Sequence, residues 1–147
     1  MSNKKKNKVM VFGVFDQLHE GHRKFLGVAG SHGGKLIAVV ARDDTVQLLK
    51  QKVPVENEGE RMRRVGALAE VAQVELGDAA LGAYTVIKKY QPDVICLGYD
   101  QQALADDLKM RMASGEISVI RLVRLQAHEP ERLHTSLLTE EIVNATI

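Results

Sequence analysis

A chain of 147 residues with 45% apolar and 27% charged side chains has the length and composition of one ordinary globular domain. Its net charge of +1 gives no sign of a polyanionic partner, so we expect no nucleic acid among its partners. No apolar run approaches the roughly 18 residues that span a bilayer, and no signal-peptide core is present, so we expect a cytoplasmic protein without a membrane partner. The single cysteine excludes a disulfide framework and a metal site with several cysteine ligands.

The order of strand and helix patterns predicts the fold. Residues 1–7 hold a lysine run typical of a flexible basic N-terminus, and we expect one domain at 8–147. The apolar runs predict strands at about 8–14, 36–41, 71–76, 93–97 and 117–125. Helices are predicted between them at about 20–31 and 59–70, and a last helix at about 135–145. Three further helices are placed by their residues: a short one capped by Asp43 or Asp44 and ending at Leu49, one with Leu81, Tyr84 and Ile87 on its inner face, and one marked by Leu104, Leu108 and Met112. This alternation predicts an α/β fold, a Rossmann-like doubly wound sheet of about five parallel strands in a single domain.

The most informative segment lies where the first strand passes into the first helix. It reads Gly13-Val14-Phe15-Asp16-Gln17-Leu18-His19-Glu20-Gly21-His22. Open α/β sheets bind ligands at such strand ends, and the free N–H groups of a helix start favour phosphate. Imidazole donates hydrogen bonds, Gly13 permits a tight turn, and Gly21 leaves room for a ligand beside the backbone. The array predicts stabilisation of charge on a transferring phosphoryl group; the alternative is a surface loop that happens to hold two histidines.

Three cations follow the second strand. Lys50, Lys52 and Arg61 could bind a triphosphate or a phosphorylated acceptor. Lys50 and Lys52 lie in a polar connection at about 50–60, and Arg61 follows it. This connection is long enough to act as a mobile flap. The alternative interpretation is a solvated loop.

A third group of candidates directly follows the strand at 93–97. Because parallel strands end at one edge of a sheet, Gly98, Tyr99 and Asp100 are expected at the same edge as His19. Asp100 could accept hydrogen bonds from ribose hydroxyls or a base amine, and Gly98 could let a nucleotide approach the backbone. A simple turn with an Asx hydrogen bond is the alternative.

The last candidates stand at the start of the predicted final helix. Arg132, His134, Thr135 and Ser136 combine hydroxyls, a cation and free N–H groups, which together favour an anion. Plain helix capping by Thr135 or Ser136 is the alternative, and it is compatible with anion binding.

The segment from Gly13 to His22 resembles the signature of the nucleotidyltransferase superfamily with the H-x-G-H motif, which includes cytidylyltransferases and adenylyltransferases and, more distantly, class I aminoacyl-tRNA synthetases. The resemblance runs from about Val9 to Ile142. The segments 41–46 and 92–101 and the His134-Thr135-Ser136 ending resemble the archaeal-type FAD synthetases, which are FMN adenylyltransferases, more than the glycerol-3-phosphate cytidylyltransferases. Two features depart from the wider pattern: His134 replaces a serine, and Glu129 stands where an arginine is usual, so that Arg132 is a candidate substitute.

The resemblance implies a role for each candidate. His19, His22 and Lys52 would be catalytic, with the histidines stabilising the in-line transition state and Lys52 holding the outer phosphates together with Thr135 and Ser136. Lys50, Arg61 and Tyr99 would bind the acceptor. The remaining candidates would bind the nucleotide, and they are Gly13, Val14, Phe15, Asp16, Glu20, Gly21, Gly98, Asp100, Arg132 and His134.

The resemblance also implies the reaction. A phosphate oxygen of the acceptor would attack the α-phosphorus of a nucleoside triphosphate, and pyrophosphate would leave. We expect ATP and FMN as substrates and FAD as product, with Mg²⁺ carried by the triphosphate, no dedicated protein metal site, no prosthetic group, and a homodimer. One alternative is transfer of CMP from CTP to glycerol 3-phosphate or a similar small phosphorylated alcohol. Another is a nucleotide-binding regulatory module without catalysis.

Overall fold

The computed structural model describes residues 7–80, 82–126 and 134–137, and most of the predicted elements are found there. In chain order the elements are β1 (Lys8–Gly13), α1 (Glu20–Gly30), β2 (Lys35–Val40), α2 (Asp43–Lys50), α3 (Glu58–Gly66), β3 (Gln73–Leu76), α4 (Thr85–Tyr90), β4 (Val94–Gly98), α5 (Gln102–Ala113), β5 (Arg121–Gln126) and β6 (His134–Leu137).

The strands form one sheet in the order β3-β2-β1-β4-β5-β6. The first five strands are parallel, as predicted, and β6 pairs with β5 in the antiparallel sense. The chain builds outward from β1 to β3 and then crosses back to place β4 on the other side of β1. The carboxyl ends of β1 and β4 therefore flank the topological switch point, where open α/β sheets bind ligands.

Two apolar cores cover the sheet, because alternate residues of a strand point to opposite faces. Val9 and Val11 of β1 pack with α1 and α3 on one face. Met10 of the same strand packs with α4 and α5 on the other. Helices on both faces explain why the parallel strands read as nearly continuous apolar runs, and they confirm the doubly wound fold.

The ladder between β1 and β4 stops short of the carboxyl ends of both strands. The last paired residues are Val11 and Cys96, although β1 continues to Gly13 and β4 to Gly98. Beyond these residues the two strands no longer pair, as expected at a switch point, where α/β sheets form the crevice that binds a ligand.

Several predicted boundaries differ from the observed ones. Arg42, and neither Asp43 nor Asp44, is the N-cap of α2, and its side chain makes no capping hydrogen bond. Helix α3 ends at Gly66, four residues before the predicted end, and Ala69, predicted on its inner side, is exposed. Tyr84 precedes α4 with a left-handed backbone instead of lying inside the helix.

The C-terminal part of the prediction is wrong within the described residues. The strand predicted at 117–125 begins only at Arg121, and residues 134–137 form β6 where a helix was expected to start. The outer edge of β5 offers unpaired backbone groups, and pairing with Thr135 and Ser136 satisfies them. Leu81, Arg132 and the predicted helical residues 138–145 lie outside the described part of the chain, as does the predicted flexible segment apart from Asn7.

Candidate active site

The two histidines of the motif cap the start of α1. His19 is the N-cap residue, and its Nδ1 accepts a hydrogen bond from the backbone N–H of Gly21 at 3.0 Å. The Nδ1 of His22 accepts from the backbone N–H of His19 at 3.2 Å. This is a capping box in which imidazoles replace the usual hydroxyl and carboxylate acceptors. The rings stack at 3.9 Å between centroids, so the same turn orients both side chains.

These hydrogen bonds fix the tautomer of each neutral ring. A nitrogen that accepts from an N–H group carries no proton of its own, so the proton of each neutral imidazole lies on Nε2. His19 and His22 therefore each keep an Nε2–H donor for a ligand. The amides at the start of α1 add the positive end of the helix dipole.

Burial and neighbouring charge keep His22 neutral. Half-burial lowers the pKa of His22 below its ordinary value of 6.5, and the adjacent His19 lowers it further, against an opposing effect of Asp16. Phe15 lies against the ring edge-on, with centroids 5.7 Å apart. His22 is thus a neutral hydrogen-bond donor near neutral pH, suited to charge that develops on a phosphoryl oxygen.

The turn before the histidines is tightly built. Phe15 and Gln17 have φ angles of 54° and 51°, a left-handed conformation that is uncommon for residues other than glycine. The Phe15 ring is buried against Gly13, where a Cβ atom would come within 2.8 Å of it. At Gly21 a Cβ atom would come within 2.9 Å of the His19 ring. Both glycines therefore leave the space that the ring positions require.

Asp16 ties the turn to the connection between α2 and α3. Its carboxylate accepts hydrogen bonds from the backbone N–H groups of Val55 and Glu56, at 2.8 and 3.0 Å. Burial alone would raise the pKa of Asp16, but these donors and two nearby cations hold it below its ordinary value. Gln17 adds a backbone hydrogen bond to the Glu56 carboxylate. The connection predicted as a mobile flap is thus fastened beside the histidines.

Arg61, predicted to bind the acceptor, lies in the interior of the protein, where its guanidinium has structural partners. Its side chain is fully buried. The guanidinium donates to the carbonyl oxygens of Val14, Ala41 and Glu56 and to the Asp43 carboxylate at 2.6 Å. Arg61 therefore joins the ends of β1 and β2 to the start of α3. Its position four residues before the buried Val65 was a signal in the sequence that it lies on the inner face of α3.

Gln101 bridges the crevice between β1 and β4, a role that the sequence analysis missed. Its side-chain amide donates to the carbonyl of Phe12 and accepts from the N–H of Gly98, each at 2.8 Å. The bridge brings the β4 end close to the β1 end in spite of the missing ladder. Tyr99 and Asp100 follow on the surface and are exposed.

The other candidates divide into two groups. Lys50 ends α2 and Lys52 follows it; both are exposed on the segment that Asp16 holds, at the carboxyl edge of the sheet. Residues 134–136 also start at that edge, because His134 pairs with Gln126 at the end of β5. They are three strands from β1, roughly 14 Å at ordinary strand spacing.

Other features of the described residues do not compete with this site. No group of three or more histidine, cysteine or acidic side chains within the described ranges is arranged to hold a metal ion. Cys96 is buried in β4, where burial raises the pKa of its thiol to about 12. A surface depression of about 260 Å³ lies before β4 and β5, at the opposite edge of the sheet from the histidines. Among the helices described, none is both long and apolar enough to cross a membrane.

A doubly wound sheet with paired imidazoles at a phosphate-favouring helix start defines a nucleotide-binding α/β protein. The sequence profile of the Cytidylyltransferase-like family matches residues 10–141, and the chain belongs to this family. The FAD synthases of Thermococcus onnurineus and Pyrococcus horikoshii are 35% and 37% identical to it, over 95% and 97% of this chain and 93% and 96% of theirs. The crystal structure of the lipopolysaccharide core biosynthesis protein from Thermoplasma volcanium has a TM-score of 0.77 and 31% identity, covering 85% of this chain and all of the other.

Proposed function

We propose that this protein is an FMN adenylyltransferase, which transfers AMP from ATP to FMN to give FAD and pyrophosphate. The observation that carries the proposal is the pair of Nε2–H donors that the α1 capping box holds at the switch point. The FAD synthases that resemble this chain along nearly their whole length favour ATP and FMN over CTP and a small phosphorylated alcohol. The same relatives, together with the intact histidine pair, argue against a module without catalysis.

The reaction needs positioning and charge stabilisation more than covalent chemistry. An oxygen of the FMN phosphate attacks the α-phosphorus of ATP, and the bond from that phosphorus to the bridging oxygen of pyrophosphate breaks. His19 and His22 donate from Nε2 to the charge that builds up on the α-phosphate, and the amides at the start of α1 add to this. Mg²⁺, bound chiefly by the triphosphate, supplies further neutralisation of the phosphate charge.

The remaining candidates would hold the two substrates around that centre. Lys52 would bind the outer phosphates and Lys50 the FMN phosphate, as point charges on the fastened segment. The backbone at Val14 and Phe15, with Asp100, would contact the nucleoside. We also propose that the functional unit is a homodimer.

The experiment is a comparison of four substrate pairs. Purified protein with Mg²⁺ receives ATP or CTP, each with FMN or with glycerol 3-phosphate, and the release of pyrophosphate and the formation of dinucleotide are followed. We expect pyrophosphate and FAD in equal amounts from ATP with FMN alone. Turnover only with CTP and glycerol 3-phosphate would overturn the assignment of ATP and FMN as substrates. No turnover with any pair would overturn the proposed catalytic function.

A further inference from the structure

One segment concentrates the exposed apolar side chains of the described structure. Of the seven large apolar side chains that are exposed there, four lie within residues 48–55: Leu48, Leu49, Val53 and Val55, each between 62% and 73% exposed. Single exposed apolar residues are ordinary, but a cluster of them indicates a binding surface. We call these eight residues the 48–55 segment.

The exposure of these side chains is not the result of a loose loop. Pro54 is buried between the exposed Val53 and Val55. The backbone N–H groups of Val55 and Glu56 are bonded to Asp16, and Gln51, with a φ of 55°, turns the chain at the end of α2. The segment is fastened to the core and to the histidine turn while its apolar side chains face outward.

The charges of the segment indicate what covers it. Lys50 and Lys52 lie between the two pairs of apolar residues, and neither has an ion-pair partner among the described residues. Self-association through this surface about a twofold axis would bring lysines of two copies together, which is unfavourable. A ligand with a flat apolar part and a phosphate matches both features of the segment.

We propose that the 48–55 segment binds the isoalloxazine ring of the flavin, with Leu49 and Val53 against the ring and Lys50 at the FMN phosphate. This assignment rests on the proposed function and extends it to the acceptor subsite. It also accounts for flavin binding by a chain that has no tryptophan, because aliphatic side chains provide the apolar surface that aromatic rings otherwise supply. Since the segment is fastened to Asp16, a ring bound there keeps its phosphate on the side of the histidines.

The test compares two double variants, each of which replaces two exposed apolar side chains with serine. Leu49→Ser with Val53→Ser changes the segment, and Met110→Ser with Val119→Ser removes two apolar side chains of matching exposure elsewhere. We expect the first variant to raise both the KM and the dissociation constant for FMN at least fivefold. The KM for ATP should stay within twofold in both variants. The second variant should match the unmodified protein in all three values.

Binding is read from the quenching of flavin fluorescence, which needs no turnover. Riboflavin, which has the ring but no phosphate, should also bind at least fivefold more weakly to the first variant, whereas Lys50→Gln should weaken FMN binding more than riboflavin binding. Unchanged flavin binding in the first variant would overturn this proposal. A change in sedimentation from dimer to monomer with flavin affinity retained would overturn it as well. Absence of FAD formation by the unmodified protein would instead refute the proposed function. The fluorescence results would still show whether flavin binds the 48–55 segment.

Discussion

At the scale of single residues, the histidine pair owes its orientation to hydrogen bonds rather than to bulk packing. An imidazole that accepts through Nδ1 can offer a ligand only Nε2–H, and His19 and His22 share this arrangement. Because both acceptor bonds come from backbone N–H groups of one turn, the donors are in place before a substrate binds. Such preorganised donors favour the transition state over the ground state.

The substitution His22→Ala tests that role. It removes one Nε2–H donor, so we expect kcat to fall at least tenfold while the KM for ATP changes little. Steady-state release of pyrophosphate measures both values. His32→Ala is the matched control, since His32 lies just beyond the other end of α1, and it should keep full activity. Equal losses in the two variants would show that His22 contributes only to stability.

The lowered pKa of His22 predicts how stability depends on pH. In the unfolded chain the imidazole takes up a proton near its ordinary pKa of 6.5, whereas the folded state resists protonation to lower pH. The contribution of His22 is therefore complete above about pH 6.5 and is lost as the pH falls through the lowered folded pKa. Urea unfolding at pH 7.5 and 5.5 should show a decrease that is smaller in His22→Gln. An identical decrease in both proteins would contradict this.

At the scale of elements, Asp16 fastens the 51–57 connection to the β1–α1 turn. Asp16→Asn replaces one of two acceptor oxygens with an N–H donor, so one of the two backbone bonds is lost at a cost of about 1–3 kcal/mol. Hydrogen exchange should become faster at the amides of Val55 and Glu56, and the KM for FMN should rise. Asp44→Asn, on the exposed side of α2, should leave both measurements unchanged.

Arg61 has a comparable role between β1, β2 and α3. Arg61→Met leaves three carbonyl oxygens and the Asp43 carboxylate without their donor, and we expect unfolding free energy to fall by about 3–5 kcal/mol. Arg63→Met, at an exposed position of the same helix, should leave it nearly unchanged, because an exposed ion pair contributes little to stability. Urea unfolding compares the two. Loss of FMN binding without loss of stability would restore Arg61 to the acceptor site.

The elements also show what local sequence can predict. Apolar runs such as 36–40 predicted the buried strands, because strands covered on both faces need apolar residues at nearly every position. The hydroxyls of Thr135 and Ser136 predicted a helix start, but the free edge of β5 decides their structure, and that edge is remote in sequence. The bridge of Gln101 to Phe12 spans 89 positions, and no local pattern indicates it. Contacts of this kind join residues that are distant in sequence. The sequence therefore predicted the edge of the sheet where the site lies, but not the hydrogen bonds that support the site.

At the scale of the whole molecule, the proposed nucleotide site joins two halves of the sheet across the crevice between β1 and β4. A ligand that binds only the folded state stabilises it in proportion to the logarithm of its concentration over its dissociation constant. ATP with Mg²⁺ at about 100 times that constant should add about 2.7 kcal/mol, which raises the Tm of a domain of this size by roughly 5–10 °C. CTP at the same concentration should raise it less. Equal shifts with both nucleotides would remove the preference for ATP.

The two outermost strands, β3 and β6, affect how copies of the protein associate at high concentration. Within the described residues each spans four positions, so this part of the chain presents no long row of unpaired backbone groups at either border. In β3 the Glu75 carboxylate also receives hydrogen bonds from Lys89 and Tyr90. Short polar borders of this kind discourage strand addition from another chain, which is the usual first step of sheet-mediated aggregation. Any stable pairing of two copies is therefore expected to use helix or loop surfaces and to leave the sheet as it is.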